Sequence, residues 1–164
     1  AEVLSWANRY IQEDSQSDMF LSAFYAELNT NTGRLTYANA GHNPPFLWRK
    51  SESRFYRLPP SSPLLGVLPD LNVSASTADL EAGDVLILYT DGITEALNSD
   101  YKEFSVPRLE ATMRKILLER PNMSTDEFRT AIADDVREFA GDMVQYDDIT
   151  LLVIKRVETK HDGE

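Results

Sequence analysis

Six short apolar runs crowd the first ninety residues, two amphipathic helical patterns follow, and one more apolar run comes near the end. Strands bunched ahead of helices favour an α+β sandwich over alternating βαβ units. The runs are Met19 to Leu28, Arg34 to Ala40, Phe46 to Trp48, Arg54 to Leu58, Asn72 to Ala78 and residues 85–90, with a last strand expected from Ile149 to Ile154. Turn residues separate them. Asn29 to Gly33 supplies the Asn and Gly that tight hairpins need for positive φ. Lys50 to Ser53 is a second turn. Gly41-His42-Asn43-Pro44-Pro45 must be irregular, because Pro donates nothing to a ladder and restricts its predecessor. Four prolines within residues 59–69 make that stretch a loop, and Leu80 to Asp84 is a turn into the next strand.

The helices are read from periodicity. Val3, Leu4, Ala7, Tyr10 and Ile11 predict an amphipathic helix over residues 1–13, with Gln12 to Asp18 as a polar loop after it. Val106, Leu109, Met113, Ile116 and Leu117 share a second helical face, which Arg120-Pro121 stops. Ser124 or Thr125 caps a third helix, with Glu127 placed for a capping box. Its apolar face is Phe128, Ile132, Val136 and Phe139, and Gly141 ends it.

Composition narrows the function. A chain of 164 residues is one domain or most of one, long enough to bury roughly 68–70% of its unfolded surface. Its net charge of −11, from 27 acidic and 16 basic residues, opposes binding to a nucleic-acid backbone. Without cysteine it offers no disulfide, thiolate metal site or cysteine nucleophile, and two histidines exclude a histidine-rich metal site. No apolar stretch approaches the ~20 residues that span a bilayer and no signal peptide is visible, so the expectation is a cytoplasmic protein without membrane insertion. A start at Ala1 suggests a piece of something longer.

The candidate chemistry is acidic. Val85-Leu86-Ile87-Leu88-Tyr89 runs into Asp91-Gly92, where the glycine lets the backbone turn while the carboxylate projects past the strand end. Asp147-Asp148 stands before the last strand. Either pair alone reads as a turn at least as readily as a site. Adjacent strand residues point to opposite faces, so at most one of Asp147 and Asp148 is expected to face a site shared with Asp91. Mg²⁺ or Mn²⁺, hard cations that take carboxylate oxygens, would suit such a pair. Glu95 reads as a solvated first-turn residue, and His42, in a constrained turn with no adjacent acid, as a loop-locking hydrogen bonder. Ser61-Ser62 has no nearby histidine and no nucleophile elbow.

Taken in order, Ala-Gly-His-Asn-Pro-Pro at 40–45, Pro-Leu-Leu-Gly at 63–66, Leu-Glu-Ala-Gly-Asp-Val-Leu at 80–86, Tyr-Thr-Asp-Gly-Ile-Thr-Glu-Ala at 89–96 and Asp-Asp-Ile-Thr at 147–150 are more specific than any one of them. Together they resemble the SpoIIE/RsbU-like bacterial branch of the metal-dependent (PPM) serine/threonine protein phosphatases, over roughly Val3 to Ile154. The resemblance implies a four-layer α-β-β-α sandwich of antiparallel sheets with a binuclear Mg²⁺/Mn²⁺ centre. It implies hydrolysis of phosphoserine or phosphothreonine by a metal-activated water. It also implies a phosphorylated anti-anti-sigma (STAS-domain) or similar partner and an upstream sensor or receiver domain; a homodimer is a separate expectation that the resemblance does not decide. Asp91 matches the family's Asp-Gly ligand and Gly92 its glycine; Asp147 best matches the closing ligand, with Asp148 as the alternative register, and His42 matches a residue of structural role.

The family's Gly-Asp-x-x-Asp and Asp-Val-x-Gly-x-Gly segments do not occur here. Residues 1–157 are therefore expected to be the C-terminal two-thirds of a phosphatase domain, N-terminally incomplete, with 158–164 a polar tail. Such a chain would hold two of three carboxylates of one metal site and be weakly active or inactive alone. The rival is a non-catalytic phosphatase-like module that docks or regulates a sigma-factor partner. A carboxylate-pair glycosidase ranks below both, since no aromatic sugar platform accompanies the Asp residues.

Overall fold

The computed structural model describes residues 1–14 and 19–157, and the expected polar tail at 158–164 lies outside them. Two compact units partition the chain, Ala1–Val85 with residues from Arg156 on, and Leu86–Lys155.

In the first unit, α1 (Glu2–Asp14) precedes β1 (Ala23–Leu28), β2 (Arg34–Ala40), β3 (Phe46–Arg49), β4 (Arg54–Arg57) and β5 (Ser76–Asp79). Three strands form an antiparallel sheet in the order β1-β2-β5, with Ala23 opposite Ala40 and Arg34 opposite Asp79. β3 and β4 form an antiparallel hairpin through a 3₁₀ turn at Lys50–Glu52, closed by Ser53 in the left-handed region. β2 alternates buried Leu35 and Tyr37 with exposed neighbours, then runs continuously buried from Tyr37 to Ala40. Leu4, Ala38, Ala40, Leu65, Leu71 and Val73 make its core cluster.

Several expected boundaries move. The strand expected from Met19 begins only at Ala23, because Leu21 makes an isolated bridge to Leu65 instead. The one expected from Asn72 begins at Ser76. Gln12 to Asp14, expected in a loop, complete α1, and the rest of that expected loop, residues 15–18, lies outside the described residues. The buried face of α1 also differs. Leu4 and Asn8 are buried, whereas Val3 and Tyr10 stay about half exposed at 49% and 57%. Asn8 tolerates burial because its amide nitrogen donates to the carbonyls of Leu68 (2.8 Å) and Pro69 (3.2 Å), and its oxygen accepts from Gly66 N (2.8 Å).

The second unit contains most of β6 (Val85–Tyr89), the one-turn helix α2 (Asp91–Thr94), α3 (Val106–Glu119), α4 (Thr125–Ala140) and β7 (Leu151–Lys155). α3 packs on α4, and α4 on β7, which lies beside β6. Leu109 and Met113 of α3, and Phe128, Ile132 and Val136 of α4, are buried. The expected capping box is present: Ser124 Oγ accepts from Glu127 N, and Glu127 Oε2 accepts from Ser124 N at 2.9 Å. No helix among the described residues is long and apolar enough to cross a membrane.

Candidate metal centre

β6 presents Asp91. Four of its five residues are buried, and Thr90 continues in extended backbone (φ −93°, ψ 161°) before the chain winds into α2. That helical turn, which sequence periodicity is too short to reveal, is closed by Glu95 N donating to Asp91 O at 2.8 Å. Gly92, Ile93 and Thr94 turn inward, leaving Asp91 and Glu95 exposed.

The second stretch comes from the far end of the unit. After Gly141 the backbone has no regular structure through Thr150, and the strand expected from Ile149 begins at Leu151. Asp147 sits at a bend with Asp148 beside it, so strand alternation does not sort the two carboxylates, and both are exposed. Thr90 Oγ donates to the Asp148 carbonyl (2.8 Å) and accepts from Thr150 N (2.9 Å), while Thr90 N donates to Thr150 O (3.1 Å). Gln145 Nε2 donates to the carbonyls of Gly92 (2.9 Å) and Asp147 (3.0 Å). A Cβ on Gly92 would lie 2.6 Å from Asp148 O and 3.0 Å from Asp147 O, so only glycine lets the two backbones approach this closely.

The two acidic stretches singled out in the sequence thus lie against one another in space. The side chains these stretches offer are exposed carboxylates, the donor type that suits a hard divalent cation that keeps several waters. Asp91 and Asp147 could hold it, with Asp148 as the alternative to Asp147. No group of three His, Cys, Asp or Glu side chains positioned for a metal occurs among the described residues. Beside Gly92 lies a cavity of about 230 Å³ whose lining includes Glu95, Glu103, Gln145 and Asp147. Sequence reasoning gave no role to Thr90, which lies inside the 89–96 motif, or to Gln145, two residues before Asp147.

His42 lies in the first unit, on the loop between β2 and β3. Its Nδ1 is 2.9 Å from Ser22 Oγ, its backbone N donates to Asn39 Oδ1 (2.8 Å), and its carbonyl accepts from Asn39 Nδ2 (3.1 Å). Asn39 is fully buried and also donates to Leu58 O at 3.2 Å. The Asp of the Leu-Glu-Ala-Gly-Asp motif is engaged elsewhere: buried Asp84 pairs with Arg49 at 2.5 Å and accepts from Lys50 N and Glu81 N.

The chain is similar to known proteins in sequence and in fold. Residues 1–157 match the family described as Stage II sporulation protein E (SpoIIE). Phosphoserine phosphatase RsbU of Bacillus subtilis is 31% identical over 156 residues, 95% of this chain and 45% of RsbU. Protein IcfG of Synechocystis is 32% identical over 154 residues, 91% of this chain and 23% of IcfG. The chain therefore spans less than half the length of these relatives. Among solved structures, the SiaA-PP2C domain of Pseudomonas aeruginosa superposes with a TM-score of 0.79 at 18% identity, over 94% of this chain and 60% of that one. The RsbU and RsbW domains of a Mycobacterium tuberculosis protein give 0.71 at 24% identity, over 95% of this chain and 41% of that one. With two antiparallel sheets and flanking helices in an α+β fold like that of the PPM phosphatases, this chain belongs to the SpoIIE family.

Proposed function

We propose that this chain carries part of the catalytic centre of a metal-dependent protein serine/threonine phosphatase, with Asp91 and Asp147 as metal ligands and Asp148 as the alternative to Asp147. The observation that carries the reading is the contact of Gly92 with the Asp147–Asp148 backbone, which brings two carboxylate-bearing stretches far apart in sequence against one another. The relative named a phosphoserine phosphatase supports the reaction class. Structures in this fold described as manganese-presoaked and in complex with magnesium support Mn²⁺ or Mg²⁺. When bound, the cation would activate water and offset charge on the phosphoryl oxygens. The chain's own residues do the rest: Asp91 and Asp147 anchor and orient, Gly92 admits the close approach, and His42 with Asn39 holds the loop after β2.

The substrate in this reading is a phosphorylated STAS-domain anti-anti-sigma protein or similar regulator, in the cytoplasm, under an upstream sensor or receiver domain and with homodimerisation as a further element. The pairing of RsbU with RsbW domains in one relative's structure supports partner switching. With only two carboxylate stretches in place, the 164 residues alone bind metal weakly and turn over slowly.

The test is phosphate release from phosphoserine substrate by the full-length protein with Mn²⁺. Asp91→Asn and Asp147→Asn should each lower kcat/KM by about 100-fold or more, the scale of removing a few kcal/mol of charge stabilisation. Chelator-resistant hydrolysis, or an Asp91→Asn variant as fast as wild type, would sink the reading. Partner binding without any hydrolysis would favour the docking module instead.

A further inference from the structure

We propose that Gln145 is a positioning residue of this centre, setting the spacing of Asp91 and Asp147 by clamping their two backbones together. The proposal rests on the metal-centre reading above. A side-chain amide has two N–H donors. Those of Gln145 are directed at Gly92 O (2.9 Å), one residue past Asp91, and at the carbonyl of Asp147 itself (3.0 Å). One planar group therefore binds the carbonyl of Asp147 itself and that of the residue following Asp91.

The clamp acts beside two other contacts, the close approach of Gly92 and the hydrogen bonds of Thr90. Residues 143–150 carry no regular secondary structure, so no strand ladder fixes Asp147 relative to α2. Thr90 holds the next carbonyl, that of Asp148, from the β6 side. Like-charged carboxylates on neighbouring stretches repel before a cation joins them, and the clamp opposes that repulsion. Gln145 is itself exposed, so its replacement opens no core cavity and stability of the fold is not its main contribution.

The experiment compares wild type, Gln145→Met, Gln145→Glu and Asp91→Asn in the full-length protein. Mn²⁺ affinity is measured by titration calorimetry, and hydrogen exchange is measured without metal. Gln145→Met keeps the length and removes both donors; it should weaken Mn²⁺ binding about 10-fold, the lower end for groups that orient ligands. Gln145→Glu sets an oxygen against two carbonyl oxygens and should bind no better than Gln145→Met. In the metal-free Gln145→Met protein, amide exchange should quicken within residues 146–150 only. If Gln145→Met binds Mn²⁺ like wild type while Asp91→Asn does not, the clamp is wrong and the metal centre stands. If wild type binds no Mn²⁺, the metal centre falls and the clamp with it. Faster exchange spread through the whole second unit would show general destabilisation and overturn the clamp as well.

Discussion

Gly92 is the residue on which the two acidic stretches meet. Its hypothetical Cβ collides with backbone carbonyl oxygen, which cannot swing aside like the tip of a long side chain. Gly92→Ala should therefore cost about 1–3 kcal/mol, the range for forcing extra atoms into a packed contact, and should weaken Mn²⁺ binding. Urea unfolding and a metal titration check the two halves separately; an alanine variant normal in both would mean the loops have slack. At this scale the sequence exposes acids and hides their supports. Asp91 and Asp147 stand out because each interrupts or precedes an apolar run. Gln145 and Thr90 do not, because what they do depends on carbonyls far away in sequence: Gln145 reaches Gly92 across 53 residues and Thr90 reaches Asp148 across 58.

Among the elements, α4 was the most legible because its signals are local. Ser124 and Glu127 lie one turn apart, and both partners of the capping box are written within four residues. Ser124→Ala should destabilise by about 1 kcal/mol, read as a lower urea midpoint. The hydrogen bonds from Ser124 hold the Glu127 carboxyl below its ordinary value. A carboxyl depressed in the folded state contributes stability above its unfolded pKa, near 4.5, and loses it as pH falls through the lower folded value. The Ser124→Ala penalty should accordingly shrink in urea melts as pH falls from above the unfolded value through the lower folded one; a penalty constant with pH would count against the Glu127 carboxylate half of the box. α1 shows the opposite case. Its period is correct in the sequence, but the buried stripe is turned to include Asn8, whose burial is tolerable only because Gly66, Leu68 and Pro69 of a distant loop satisfy it. The start of β7 was misplaced for a related reason: Ile149 and Thr150 have strand-like composition, yet Thr150 is committed to Thr90.

For the whole molecule, the proposed metal centre would link metal binding to folding. A cation that binds only the folded state stabilises it by about 2.7 kcal/mol at a concentration 100 times its Kd. Full-length protein should therefore melt at higher temperature with Mn²⁺ than with chelator, and Asp91→Asn should abolish that rise. An Asp91→Asn protein with the wild-type rise would count against the metal centre. The sequence by itself determined the α+β class, most strand and helix positions, the capping box and the acidic motifs. These follow from periodicity, turn chemistry and residue type, all local properties. Tertiary structure alone decided that Asp91-Gly92 and Asp147-Asp148 meet, that Gln145 and Thr90 hold them, and which face of α1 is buried. Those outcomes depend on hydrogen bonds and close backbone approaches between segments more than fifty residues apart, which no local pattern encodes.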